Sequence, residues 1–180
     1  MEDIVEPRII QIDRYTMRPL DNSDLDALSA IWADAEVTRF LPSCGLPISR
    51  ANVEKSLESF IHHWEMQKYG IWAIVENFST QMVGYCGLRY LNELDETEVL
   101  YGLAKAYWGK GIASQALKAS ISYGFDMTNL DKIIAMVLPE NKASIRVIEK
   151  ADLHYEKQIH IFGLDVLYYS LSRSTDRHHQ

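Results

Sequence analysis

Residues 107–114 read YWGKGIAS, with Gly109 and Gly111 one residue apart at the head of a stretch with helical spacing. Glycine at such a junction costs chain entropy, so two of them mark a backbone that another group must approach closely. A helix opening here presents amide N–H groups with no partner inside the helix, together with the positive end of its dipole. That combination holds phosphate. Lys105 and Lys110 add positive charge beside it. A Walker loop requires Gly-Lys-Ser/Thr, but Gly111 is followed by Ile112; the dinucleotide fingerprint requires a third glycine where Ser114 stands. Spacing alone therefore leaves two readings open, a tight turn without ligand and an anion site of neither of those kinds.

Three further groups carry chemistry. Glu98 lies where an apolar run begins and can act as a base, while its neighbours Asp95 and Glu96 make a solvated strand start an equal reading. Asn141 precedes a helical segment and caps it. His62 and His63 are adjacent on a helix and point apart, and Cys44 and Cys86 form no close-spaced pattern, so no metal is expected. Cys86 lies in an apolar run and is expected to pack.

The elements that must position these groups are legible from periodicity. Residues 8–20 alternate as one strand ending at Pro19. Asn22 and Ser23 can cap a helix with Leu25, Leu28, Ile31 and Trp32 on one face. Ser49 can cap a second with Val53, Leu57, Phe60, Ile61 and Trp64, and the loop LPSCGLP separates the two. IWAIVEN, MVGYCGLRYL and EVLYGLA read as three strands in a meander. A helix over about 109–125 follows, then the buried strand KIIAMVL, a short helix from PENKAS, and strands over about 154–162 and 166–171 with a turn at Gly163. Strand, helix, strand around 98–150 is a crossover unit, which makes its strands parallel neighbours with a ligand site beyond their carboxyl ends. Trp32, Trp64 and Trp72 read as core, and Tyr168 with Tyr169 hints at an aromatic surface.

The chain has 180 residues, 47% apolar and 24% charged, in the range of one globular domain. A single domain is expected over 1–173, with a disordered tail over 174–180. A net charge of −7 argues against nucleic acid as partner. The opening MEDIVEPRII lacks the features of a signal peptide, and no apolar run spans a bilayer, so no membrane partner and a cytoplasmic setting are expected.

In order and wording the segment 98–150 resembles the GCN5-related N-acetyltransferase (GNAT) superfamily. Its pyrophosphate loop, Q/R-x-x-G-x-G/A, is matched by Trp108-Gly109-Lys110-Gly111-Ile112-Ala113. The tryptophan in place of Gln or Arg is similar to the ribosomal-protein N-terminal acetyltransferase branch. Glu98-Val99-Leu100-Tyr101-Gly102-Leu103 resembles the preceding strand, and Pro139-Glu140-Asn141-Lys142-Ala143-Ser144 the start of the following helix. The resemblance implies an α/β (α+β) GNAT fold, a mixed, mostly antiparallel sheet of six to seven strands flanked by helices, with one splayed parallel pair. It implies acetyl-CoA as co-substrate, with pyrophosphate on the amides from Gly109 to Ser114. Pantetheine would meet the backbone of Leu103 and Ala104, Asn141 would contact the cofactor, and the Leu103 amide would face the thioester oxygen.

It further implies Glu98 as base. Relatives place an acid tyrosine where this chain has Ile148, so Ser144 is the substitute, and the usual Gly-Phe after this helix is replaced by Asp152 and Leu153. A chain-terminal amine ionises near 7.7–8.0 and a lysine near 10.4, on the order of reference values, so an α-amine needs far less help to become neutral. The expected reaction is direct acetyl transfer to a primary amine, foremost a protein or peptide N-terminal α-amine. A small-molecule acetyltransferase for polyamines, aminoglycosides or amino-acid-like amines is the alternative enzyme, and a non-catalytic acyl-CoA-binding module the alternative of another class. The chain would act as monomer or homodimer, with Trp32 and the loop 39–46 beside the acceptor.

Overall fold

The alternation that predicts one strand over the opening arm is broken at Asp13, whose φ of +47° turns the chain back. β1 (Ile10–Ile12) and β2 (Tyr15–Pro19) therefore pair with each other, Ile12 against Tyr15. The computed structural model describes residues 9–174, so the expected tail lies, from residue 175 on, outside the described residues. After β2 come α1 (Leu25–Ala33), α2 (Ala35–Thr38) and α3 (Arg50–Gln67), then the meander β3 (Ile71–Glu76), β4 (Met82–Leu91) and β5 (Glu96–Leu103). α4 (Ile112–Met127), β6 (Lys132–Val137), α5 (Lys142–Lys150), β7 (His154–Ile161) and β8 (Leu164–Ser172) complete it.

All eight strands of the described residues join one sheet in the order β1-β2-β3-β4-β5-β6-β8-β7. Only β5 and β6 run parallel; the other neighbours are antiparallel. The strand number exceeds six to seven because the opening arm supplies two strands. The α2 turn was not foreseen, and α1 begins later than Asn22. Asp21 caps a 3-10 turn over Asn22–Asp24, where the buried Asp24 takes bonds of 2.9 and 2.8 Å from Arg18. Ser49 caps α3 as expected, its Oγ accepting from the Asn52 N–H at 3.3 Å.

Side-chain alternation divides the core between the two faces of the sheet. Ile71, Ala73 and Tyr85 pack with Leu28 and Trp32 of α1 and with Leu57 and Phe60 of α3. Trp72, Ile74 and Leu88 pack with Leu117 and Ile121 of α4 and Ile148 of α5. Trp64 reaches that second cluster from the end of α3, its ring centroid 4.8 Å from Trp72, and Trp72 lies 5.0 Å from Tyr123. The three predicted core tryptophans are thus buried. Tyr168 and Tyr169 are buried as well, at 2% and 4% exposure, so the expected aromatic surface is absent there: β8 lies between β6 and β7, and both rings are covered. Among the described residues no helix is long and apolar enough to cross a membrane.

Candidate active site

The parallel strands β5 and β6 share a single register pair, Glu98 with Ile134, and then diverge. On its other side β5 is held to β4 over its full length, from Leu91 opposite Glu96 to Gly84 opposite Leu103. Antiparallel ladders use alternate residues for hydrogen bonding, and the bond from Ala104 N–H to Val83 O at 2.8 Å fixes which ones. The even residues of β5 bond to β4, so the N–H groups of Tyr101 and Leu103 face the fork. Leu103 therefore offers the amide expected of it. The Ala104 N–H is taken by Val83, and its carbonyl accepts from Tyr107 N–H at 2.9 Å, which leaves that oxygen one further lone pair.

At the open end of the fork, the loop 104–111 makes its own brace. Trp108 stands half-exposed and donates from Nε1 to the Leu103 carbonyl at 2.9 Å, which ties the loop to the end of β5. Gly109 and Gly111 have φ of +72° and +78°, and a Cβ at either would meet no atom within 4 Å. Their glycine character thus serves the left-handed backbone, which L side chains resist, while the space around them stays open. The helix begins at Ile112, three residues later than expected, because the two left-handed residues cannot belong to it. Gly111 caps α4 without a side-chain bond, and Gln115 N–H to Gly111 O at 3.2 Å is the first intrahelical bond. The amides of Ile112, Ala113 and Ser114 consequently point outward with no helical acceptor, a cradle that fits a phosphate. Lys110 beside it lies with Nζ 5.0 Å from the Tyr107 ring centre, while Lys105 is ion-paired with Glu36 of α2.

Behind the loop a cavity of about 820 Å³ runs through the fork to α1 and α3. Glu98, Tyr101, Trp108, Asn141 and Ser144 all line it. Asn141 caps α5: its Oδ1 accepts from Ser144 N–H at 3.2 Å and its Nδ2 donates to Ser144 Oγ at 3.0 Å. Ile148, standing where relatives carry a tyrosine, is buried at 4% exposure and packs in the core.

Glu98 is not a solvated strand start, being 4% exposed. Its Oε1 accepts from Arg89 through Nε at 2.8 Å and through Nη2, while Oε2 has no partner among the described residues. Burial pushes the Glu98 carboxyl above the usual carboxylate range, against the opposing pull of Arg89. Arg89 was missed by sequence reasoning, although the signal existed. A meander turning at Glu93-Leu94 places residues whose numbers sum to 187 opposite each other, and 89 faces 98. Tyr85 and Tyr101 were missed too. The Tyr85 ring lies on the backbone of Gly102, where a Cβ would come within 2.5 Å of it, and its hydroxyl accepts from Trp32 Nε1 at 3.0 Å. Tyr101 places its hydroxyl 2.7 Å from Ser144 Oγ. Cys86, by contrast, is a packing residue as expected, its thiol pushed up to about 12 by burial.

A strand fork, a helix start without a side-chain cap and a buried carboxylate thus lie in and around one cavity. The profile of the acetyltransferase (GNAT) domain matches residues 14–154. The chain belongs to this family. An uncharacterized N-acetyltransferase of Bacillus licheniformis, p20, is 30% identical over 148 residues, covering 81% of each chain. The Salmonella typhimurium acetyltransferase that modifies the N-terminal serine of ribosomal protein L7/L12 has the same fold, with TM-score 0.78 at 18% identity over 93% of this chain and all of its own. The spermidine N-acetyltransferase of Vibrio cholerae, solved with CoA and spermine, superposes at TM-score 0.71 and 19% identity over 88% of this chain and 95% of its own. The eight-stranded sheet with its one parallel pair is accordingly a GNAT fold, and the chain is an N-acetyltransferase-family enzyme.

Proposed function

We propose that this GNAT enzyme moves an acetyl group from acetyl-CoA directly to the α-amine of a protein or peptide N-terminus. Acetyl-CoA supplies the activated acyl group as a thioester. The amides of Ile112 to Ser114, with Gly109, Lys110 and Gly111, hold its pyrophosphate, Asn141 and Leu103 meet the pantetheine arm, and Leu103 N–H faces the thioester oxygen. Glu98 Oε2 takes the proton that the amine gives up, and the Ser144 side of the cavity supplies one to the thiolate.

The observation that carries the choice of acceptor is the charge of the cavity wall. Its carboxylates are Glu36 and Glu98, each already ion-paired, and Lys55 and Arg89 balance them. A polyamine, with several positive charges, asks for several free carboxylates. A chain terminus asks for one base. An α-amine also ionises roughly 2.5 units below lysine, within reach of a modest carboxylate base.

Thiol release from acetyl-CoA, measured against amino-terminal peptides, lysine peptides, polyamines and aminoglycosides, tests the reading. Turnover confined to the amino-terminal peptides is expected. Turnover confined to polyamines would replace the acceptor, and acetyl-CoA binding without turnover on any amine would replace the enzyme with a binding module.

A further inference from the structure

The phenol of Tyr85 carries a proton for which the described residues hold no acceptor. Trp32 Nε1 donates to its hydroxyl at 3.0 Å, and an indole nitrogen has no lone pair to offer in return. That bond fixes the phenol oxygen and leaves its own O–H unspent. Yet Tyr85 is only 3% exposed, and it lines the cavity. A buried hydroxyl ordinarily finds partners for its donor as well as its acceptor role. Burial pushes this phenol up to about 12, against the bond from Trp32, so the proton is in place throughout the neutral range.

The surroundings of the phenol narrow what can take that proton. In the β4–β5 ladder Tyr85 is opposite Gly102 and Arg89 is opposite Glu98, so phenol and carboxylate share the face of the sheet that α1 and α3 cover. Tyr101 and Ile148 belong to the other face. With no side chain at Gly102 the ring lies across β5, where a Cβ would come within 2.5 Å of the phenol oxygen. An acceptor whose amine meets Glu98 therefore has Tyr85 further along the same wall. The remaining nitrogens of a polyamine are protonated at neutral pH and only donate, which would leave the phenol proton unpaired. A carbonyl oxygen accepts it.

We propose that Tyr85, held in place by Trp32, is a specificity-determining residue whose O–H donates to the carbonyl oxygen of the acceptor's amino-terminal residue; the proposal rests on the reading of the acceptor as a chain terminus. The bond selects amines that carry a carbonyl beside them. It is made to a part of the acceptor that does not react, so it contributes to binding before and during transfer alike and shows in KM rather than in kcat. Trp32, Val37, Phe40, Leu41 and Phe60 make the wall on this side apolar, which suits an apolar side chain on that residue.

Leucinamide and isoamylamine, which share the amine and the side chain and differ in the carbonyl group, test this with the wild type, Tyr85→Phe and Trp32→Phe. The quantity read is the ratio of kcat/KM for leucinamide to that for isoamylamine at one pH, so that the different ionisation of the two amines cancels between variants. Tyr85→Phe is expected to lower the ratio about tenfold, through the KM for leucinamide. Trp32→Phe removes the other half of the same hydrogen bond but keeps the phenol proton, so its ratio should fall less. A purely structural role for that bond would make the two variants alike. In the wild type, leucinamide should have the lower KM once each amine is corrected for its neutral fraction. Equal corrected KM values, an unmoved ratio in Tyr85→Phe, or equal falls in both variants would overturn the proposal. So would a rise in KM for acetyl-CoA with the ratio unchanged, which would assign the proton to the thioester. A wild type that releases no thiol with any amine, or only with polyamines, overturns the function proposed above and this inference with it; a wild type active on amino-terminal peptides with an unmoved ratio in Tyr85→Phe overturns only this inference.

Discussion

Glu96 and Glu98 lie two residues apart on β5, point to the same side of the sheet, and have opposite fates. Glu96 is fully subscribed: Tyr168 donates to its Oε1 at 2.7 Å or its Oε2 at 2.6 Å, and Lys132 Nζ bonds to Oε1 at 3.1 Å. Lys132 Nζ also donates to the Tyr168 hydroxyl at 2.8 Å; this bond, followed by Glu96, raises the pKa of Lys132, and the group ties β5, β6 and β8 together at the closed end of the fork. Glu98 is more deeply buried, yet its bonds to Arg89 all fall on Oε1, and Oε2 is left toward the cavity. A buried carboxylate normally satisfies its lone pairs. What separates Glu98 from Glu96 is thus an oxygen without a partner among the described residues.

The largest expected effect breaks this contrast by removing each charge in turn. Glu98→Gln should lower kcat by about 10²–10³-fold with little change in thermal stability. Glu96→Gln should leave kcat within about two-fold and cost about 1 kcal/mol of stability, since a part-exposed network is at stake. Steady-state kinetics and thermal melts on both variants decide it, and equal kinetic losses would remove the distinction between them.

A second variant sharpens the contrast through pH. In the proposed mechanism Glu98 must be ionised, so activity is expected to be lost as pH falls through its raised pKa, at a higher pH than for an ordinary glutamate. Arg89 lowers that pKa. Arg89→Met should accordingly move the acidic limb of kcat/KM upward, and an unmoved limb would show that another group titrates there.

The phosphate cradle predicts a smaller and different kind of loss. Gly111→Ala places a Cβ in open space, so its cost is the left-handed backbone alone, about 1–2 kcal/mol. The expected readout is a rise in KM for acetyl-CoA with a modest change in kcat. A variant that binds acetyl-CoA as tightly as the wild type would mean that the loop does not hold the pyrophosphate in this conformation.

Sequence periodicity foretold the meander, the crossover unit and the cap at Asn141, because each depends on local chemistry. The hairpin at Asp13 escaped it: nothing in the alternation of Ile10 to Met17 distinguishes one long strand from two short ones turned on a residue that tolerates positive φ. The glycines pointed to the loop for partly the right reason, since close approach and left-handed backbone both call for glycine and only geometry separates them. Glu98 was legible as a candidate, but its environment came from Arg89, a residue nine positions away across a turn. Tyr101 and Ser144 meet across the fork, 43 positions apart, and no pattern of period two or 3.6 reports such a contact.

The smallest effect concerns His63, whose ring is as fully subscribed as Glu96. Its Nδ1 bonds to the Tyr69 carbonyl at 2.8 Å and its Nε2 accepts from Tyr90 N–H at 2.9 Å, so the neutral tautomer with the proton on Nδ1 satisfies both. A second proton would have to sit on Nε2 and break the bond from Tyr90. Burial, with Arg89 nearby, holds the pKa of His63 below its ordinary value, although the bond to Tyr69 opposes this. Below about pH 6.5 the unfolded chain takes up a proton that the folded chain refuses. Protons bound in the unfolded state then exceed those in the native state, and stability falls as pH falls through that window and is fully present above it. The wild type should melt lower at about pH 5.5 than at about pH 7.5, and part of that difference should vanish in His63→Gln. An identical pH step in the variant would assign the loss to other groups and leave His63 a packing residue, joined to β4 through the Tyr90 amide.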